Sequence, residues 1–164
     1  MLDQILSSDN NSCVITIRNQ KPEQVYEFFR DFKNLALFMK GVISVREVTT
    51  KHSHWIVKLK SGAKASWYAE ITNEVPGIMI ALESLPQSEI VVKGSIWFAK
   101  APHDEGTVVS LSMDYDILDK SMRNRASTYV SDNSERLALS NLLRLKSYFE
   151  ADEAVGSIGH ASLN

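Results

Sequence analysis

The sequence of 164 residues is short of several residue types and patterns, and each shortage excludes a class of protein. Its one cysteine, Cys13, excludes an internal disulfide and an all-cysteine metal site. No apolar run approaches the roughly 20 residues that a membrane-spanning helix requires, so we do not expect an integral membrane protein. No glycine-rich phosphate-binding pattern occurs either, so nothing in the sequence supports nucleotide binding.

An excess of charge of either sign is also absent. The chain has 18 Lys and Arg residues against 20 Asp and Glu residues, with a formal net charge of −2 and a pI near 6.1. Nucleic-acid-binding domains are usually strongly basic, so we expect no nucleic-acid partner. The first residues, MLDQILSSDNNS, carry acidic and polar groups where a secretory signal has a basic start and an apolar stretch. We therefore expect a cytoplasmic location.

The four histidines give no complete metal-binding pattern. His52 and His54 are two residues apart, a spacing that can chelate a metal, but no third histidine or carboxylate stands near them in the sequence. His103 falls in a turn and His160 in the C-terminal segment. We expect neither a metal ion nor another cofactor.

The middle of the sequence has the period of two that is typical of β-strands. Residues 13–19 alternate apolar and polar side chains, and six further strands follow between residues 42 and 117. Their predicted bounds are about 42–49, 53–60, 64–74, 78–84, 89–100 and 106–117. Connections this short join antiparallel strands, because parallel strands need crossovers of about a dozen residues or more.

Helical periodicity occurs on either side of these six strands. A helix is predicted after Pro22, and a second, short one over about 34–40. The first has one apolar face, formed by Val25, Phe28, Phe29 and Phe32. A long amphipathic helix over about 119–150 has an apolar stripe formed by Ala138, Leu142, Leu145 and Phe149.

Together these elements predict an α+β fold. In it a seven-stranded, curved antiparallel sheet wraps around the long C-terminal helix, and two short helices follow strand 1. We expect one domain over residues 12–150. Residues 1–11 and 151–164 are polar or small and are predicted to be flexible tails.

Alternation also predicts which side chains of the sheet face the long helix. The inward positions are Trp55, Val57, Leu59, Trp67, Ala69, Ile71, Ile80, Leu82, Val92, Gly94, Ile96, Phe98, Thr107, Val109, Leu111, Met113, Tyr115 and Ile117. Small Ala69 and Gly94 stand among large rings, a combination that leaves room for an apolar cavity. The alternative is that the rings simply fill the core beneath the helix.

Several segments occur in a distinctive order. They are VYEFFRDFKNLALFM at 25–39, HW at 54–55, WYAEIT at 67–72, KGSIWF at 93–98, GTVV at 106–109 and LLRLKSYFE at 142–150. Over about residues 12–150 this series resembles the polyketide cyclase/dehydrase branch of the START-like, helix-grip superfamily. The resemblance implies a helix-grip fold with a cavity between the curved sheet and the C-terminal helix. It also implies an apolar ligand such as a lipid, a polyketide or a quinone.

We therefore predict a carrier or sensor of an apolar or amphipathic small molecule, with no catalytic residue. The predicted ligand-binding residues are Trp55, Trp67, Ile96, Phe98, Leu111, Met113, Tyr115, Leu142, Leu145 and Phe149. The hydroxyl of Tyr115 is expected to orient a polar end of the ligand. The alternative is a cyclase or dehydratase that acts on a polyketide-like substrate, with Tyr115 as its proton donor.

Two further kinds of contact stay open. Tyr68 and Trp97 are predicted to face outward, and exposed tryptophan often marks a contact, so a protein-interaction module or a homodimer is a third interpretation. Lys120, Arg123 and Arg125 form a basic segment before the last helix. This segment either meets a membrane surface transiently or is a solvated helix start.

Overall fold

Seven strands and three α-helices make up the part of the chain that the computed structural model describes. This part is residues 12–58, 62–88, 90–117 and 134–161, with side chains for 12–58, 62–88, 90–113 and 138–151. The elements are β1 (Ser12–Arg18), α1 (Pro22–Arg30), α2 (Leu35–Phe38), β2 (Val42–Glu47), β3 (His52–Lys58), β4 (Lys64–Val75), β5 (Met79–Ser84), β6 (Ile90–Lys100), β7 (Gly106–Ile117) and α3 (Ser134–Ala161). One-turn 3₁₀ helices lie at Phe32–Asn34 and Pro102–Asp104.

All seven strands belong to one antiparallel sheet with the order β1-β7-β6-β5-β4-β3-β2. From β2 to β7 each strand lies beside the next one in the sequence, whereas β1 pairs with β7. Trp55, Trp67 and Ala69 are buried, and their neighbours along β3 and β4 are less so. This alternation confirms the inward face that the sequence predicts for these two strands. Leu59, another predicted inward position, lies outside the described residues.

The approach of β7 to β1 depends on Gly106, the first residue of β7. Its φ of +133° is unfavourable for residues with a side chain. A Cβ atom placed there would lie 2.0 Å from the backbone oxygen of Ile17. Glycine is therefore required where these strands begin their pairing.

Helix α1 packs against β6 and β7 on the concave face of the sheet and buries Val25, Tyr26 and Phe29. Proline suits its first position, because the N–H that Pro22 lacks would have no partner in the first turn. The N–H of Lys21 donates to the side-chain oxygen of Gln24 at 3.0 Å and completes the start of the helix.

Helix α3 packs on β1 and β7, at one side of the sheet. It buries Ala138, Leu142 and Leu145 in the hydrophobic core. The ammonium group of Lys146 also donates to the backbone oxygen of Thr16 in β1, at 3.0 Å. The helix is thus held to the edge strand by apolar packing and by this hydrogen bond.

The predicted α+β fold is confirmed, with its curved sheet, its two short helices after β1 and its long C-terminal helix. The short helix predicted over 34–40 is a 3₁₀ turn followed by the four residues of α2. The start predicted for the last helix, near 119, lies outside the described residues. At its other end the sequence predicts a tail from 151, but α3 continues to Ala161. Ala151, Glu153 and Ala154 are good helix formers and favour this extension, whereas Gly156 and Gly159 each cost about 1 kcal/mol relative to alanine.

Candidate functional site

An apolar cavity of about 50 Å³ lies between the concave face of the sheet, α1 and α3. Most of its wall comes from the inward positions of β3 to β7. The described lining residues are Phe29, Met39, Val42, Trp55, Val57, Trp67, Ala69, Ile80, Leu82, Glu83, Ser84, Val92, Gly94, Ser95, Ile96, Leu111, Met113 and Asn141. Few of these side chains are polar, as is typical of sites that bind apolar small molecules.

Two stacked tryptophans form one part of the cavity wall. Trp55 and Trp67 are directly paired across β3 and β4, and their rings lie 5.9 Å apart with 13° between the planes. The indole Nε1–H of Trp55 donates to Ser53 Oγ at 2.9 Å, whereas that of Trp67 donates to no described residue. The pair therefore offers a flat apolar surface and one N–H group that is not already used.

Small residues in β4 and β6 leave space beside the larger ones. Ala69 stands two positions after Trp67 on the same face. At Gly94, a Cβ atom would lie 3.4 Å from Cγ of Met113 and 3.2 Å from the backbone oxygen of Ser112. Glycine therefore gives the flexible Met113 side chain room that a larger residue would take.

Helix α3 contributes a polar residue, Asn141, to the cavity wall. Its side chain is 2% exposed, and its Oδ1 accepts the backbone N–H of Lys40 at 2.9 Å. Lys40 follows α2, so this hydrogen bond ties α3 to the turn between α2 and β2. Sequence reasoning missed Asn141, although a polar residue within the stripe of Ala138 and Leu142 was a signal for it.

Five predicted ligand-binding residues line the cavity: Trp55, Trp67, Ile96, Leu111 and Met113. Four others do not line it among the described residues: Phe98, Leu142, Leu145 and Phe149. The ring of Phe98 packs against Tyr26 and Phe29 at 5.8 and 6.1 Å, and Phe149 packs against Phe28 at 5.1 Å. Leu142 and Leu145 lie in the core, because α3 packs on β1 and β7 rather than over the centre of the sheet. The backbone of Tyr115 pairs with Val92, and its side chain lies outside the described residues.

A charged cluster outside the cavity fixes the helix that carries Phe29. Arg30 donates from Nε to Glu74 and from Nη1 to Glu47, each at 2.6 Å, and so ties α1 to β4 and β2. The hydroxyl of Tyr26 also donates to Glu74, at 2.6 Å. Burial, together with the hydrogen bond to this carboxylate, raises the pKa of Tyr26 to about 12.

His52 and His54 do not line the cavity. His54 stacks on Tyr68 at 4.5 Å, and His52 Nε2 lies 3.8 Å from a carboxylate oxygen of Glu70, which strand pairing brings from β4. Within the described ranges no group of three or more His, Cys, Asp or Glu side chains is arranged to hold a metal. None of the described helices is long and apolar enough to cross a membrane.

The convex face exposes the two aromatic residues that the sequence predicts there. Trp97 is 48% exposed and Tyr68 is 43% exposed. A homodimer or another protein contact through this face stays a prediction. The basic segment around Lys120, Arg123 and Arg125 lies outside the described residues.

Comparisons with known proteins agree on the fold. Residues 19–138 match the sequence model of a family described as polyketide cyclase/dehydrase and lipid transport. A protein from Deinococcus radiodurans has a similar structure, with 28% identity and a TM-score of 0.68 over 85% of this chain and 96% of that chain. A Thermus thermophilus protein is 22% identical, with a TM-score of 0.68 over 86% of this chain and 97% of that chain.

A third similar structure is the Zhui aromatase/cyclase of Streptomyces sp. R1128, which is 16% identical. Its TM-score is 0.62, over 85% of this chain and 92% of that chain. At 22% and 16% identity, the likeness to the Thermus and Streptomyces proteins concerns the fold alone. No curated protein matches the sequence.

Proposed function

The chain belongs to the polyketide cyclase/dehydrase and lipid-transport family, and on that premise we propose that it binds an apolar or amphipathic small molecule in its cavity. The ligand is a lipid, a quinone or a polyketide-like compound, and the protein acts as its carrier or sensor. The observation that supports this proposal is the apolar cavity wall, which includes Trp55, Trp67, Leu111 and Met113. A ligand there is held by apolar contact.

The size of the cavity adds a requirement. About 50 Å³ is far below the roughly 300–1,000 Å³ of small-molecule sites, so the ligand must displace lining side chains as it enters. Met39 and Met113 are suited to this movement, because methionine is unbranched and adapts its shape to its surroundings. The free protein is therefore a contracted form of the ligand-bound one.

Apolar burial supplies the main favourable free energy for binding in this cavity. At about 25 cal/mol per Å², a ligand that buries about 300 Å² of apolar surface gains about 7.5 kcal/mol before the costs of association and side-chain movement. Useful affinity is then within reach with few hydrogen bonds.

Native mass spectrometry of gently purified protein is the direct test. We expect a complex heavier than the chain, and denaturing extraction should release a lipid, quinone or polyketide-like molecule from it. A bare chain that also fails to bind the apolar fluorophore N-phenyl-1-naphthylamine would overturn the proposal.

A matched pair of variants locates the binding site. Ala69→Val adds two methyl groups to the cavity wall, whereas Ala65→Val makes the same change on the same face of β4 but away from the cavity. We expect the first variant to lose N-phenyl-1-naphthylamine binding and the second to keep it, with both folded by circular dichroism. Equal binding by the two variants would place the fluorophore elsewhere.

A further inference from the structure

The buried amide of Asn141 is oriented by its hydrogen bond to the backbone. An N–H group needs an acceptor, so the Lys40 N–H must face Oδ1 of Asn141 and not Nδ2. The two protons of Nδ2 are then left for other partners. Among the described residues Nδ2 makes no hydrogen bond, although Asn141 is 2% exposed and lines the cavity.

The wall also carries the indole N–H of Trp67, the hydroxyls of Ser84 and Ser95, and the carboxylate of Glu83. Trp67 lines the cavity and its Nε1–H has no described acceptor. Ser84 Oγ accepts the Val92 N–H at 3.0 Å, which leaves this hydroxyl one acceptor lone pair and its own proton. Glu83 is the lining carboxylate, but it pairs with Lys93 at 3.3 Å and is 46% exposed.

Donors without protein acceptors on an apolar cavity wall gain a hydrogen bond when a ligand supplies the acceptor. We propose that the ligand is an apolar molecule with a ketone or quinone oxygen, and that Nδ2 of Asn141 and Nε1 of Trp67 donate to its carbonyl oxygens. This inference rests on the proposed function and narrows it. Asn141 becomes a specificity-determining residue that selects acceptor-bearing ligands over plain hydrocarbons.

Two bicyclic probes of similar size separate this recognition from apolar burial. 1-Tetralone carries one ketone oxygen, and tetralin is the corresponding hydrocarbon. The quantity to measure is the ratio of their affinities, by calorimetry at pH 8, in the wild type and in three variants.

Asn141→Asp keeps an oxygen for the Lys40 N–H and replaces the donor with an acceptor. Trp67→Phe removes the unused N–H and keeps an aromatic ring. We expect each variant to lower the tetralone-to-tetralin affinity ratio by about three- to tenfold, the range of one hydrogen bond. Trp97→Phe is the matched control, because it makes the same substitution at a residue that is 48% exposed on the convex face and does not line the cavity. This variant should leave the ratio unchanged.

The outcomes distinguish the two proposals. If neither probe binds the wild type, the proposed function fails. If both probes bind and the ratio is the same in the wild type, Asn141→Asp and Trp67→Phe, the carbonyl-recognition proposal is overturned while the cavity keeps its proposed role. If circular dichroism shows that Asn141→Asp does not fold, the comparison of Trp67→Phe with Trp97→Phe decides.

Discussion

At the scale of single residues, the contact between β1 and β7 depends on Gly106. The variant Gly106→Ala places a methyl group 2.0 Å from the Ile17 oxygen, so the strands must separate or the backbone must distort. We expect a loss of about 3 kcal/mol in the free energy of unfolding, measured by urea denaturation.

The matched control for this variant is Gly62→Ala. Gly62 also has a positive φ, +86°, but a Cβ atom there would meet nothing within 4 Å. Gly62→Ala should therefore lower the free energy of unfolding by about 1 kcal/mol, through the strained backbone conformation alone. Equal losses in the two variants would show that the close approach to Ile17 does not matter.

The raised pKa of Tyr26 predicts that the free energy of unfolding falls at alkaline pH. Its pKa is about 12 in the folded protein, against 10.0 as the ordinary value, because burial and the Glu74 carboxylate disfavour the phenolate. Above pH 10 the unfolded chain loses this proton while the folded chain keeps it, so the stabilisation is complete below pH 10 and disappears as pH rises towards 12.

Comparison with Tyr26→Phe isolates this effect from other groups that titrate at high pH. The difference in the free energy of unfolding between wild type and variant should shrink from about pH 10 to pH 12, the window that the two pKa values set. A constant difference across this range would contradict the assignment.

At the scale of elements, Arg30 connects α1 with two strands. It bonds to Glu74 in β4 and Glu47 in β2, and it is 22% exposed, so solvent screens it only partly. We expect Arg30→Gln to lower the free energy of unfolding by about 2 kcal/mol, a value typical of hydrogen bonds to charged groups. Because α1 carries Phe29 to the cavity, the variant should also weaken N-phenyl-1-naphthylamine binding.

The pair of Lys100 and Asp104 is the control for this cluster. Its atoms are also 2.6 Å apart, but both side chains are more than two-thirds exposed. Lys100→Gln should leave both stability and fluorophore binding unchanged in the same urea titration, because exposed ion pairs contribute little. If the two substitutions had the same effect, the role of Arg30 as a link between elements would be wrong.

The sheet side of the cavity could be predicted from the sequence, whereas the helix side could not. In a strand the period of two determines which side chains share a face, and Trp55, Trp67 and Leu111 lie where alternation places them. In a helix the apolar stripe shows which side is buried but not which element covers it. Leu142 and Leu145 are buried as expected, but in the core rather than at the cavity.

The contact between Asn141 and Lys40 shows why part of the site was beyond prediction. The two residues are 101 positions apart in the sequence, and the hydrogen bond uses a backbone N–H that any residue but proline would offer. No local pattern reports such a contact. Only the placement of α3 beside the turn after α2 brings these groups together.

At the scale of the whole molecule, the proposed binding requires the cavity to expand, and methionine methyl groups can report this. We expect the ¹³C-methyl signals of Met39 and Met113 to shift when N-phenyl-1-naphthylamine binds, because both side chains line the cavity. Met79 pairs with Trp97 across β5 and β6 and does not line the cavity, so its signal should stay in place. Shifts of all three signals would indicate a global rearrangement instead of local displacement.

The pairing of β1 with β7 has a consequence for the nascent chain. Ser12 pairs with Ser112, so at about 5–20 residues per second β1 is synthesised roughly 5–20 s before its partner strand. The hairpins from β2 to β6 join neighbours in the sequence and need no such delay. During translation β1 is therefore an unpaired strand whose apolar face stays exposed until β7 leaves the ribosome.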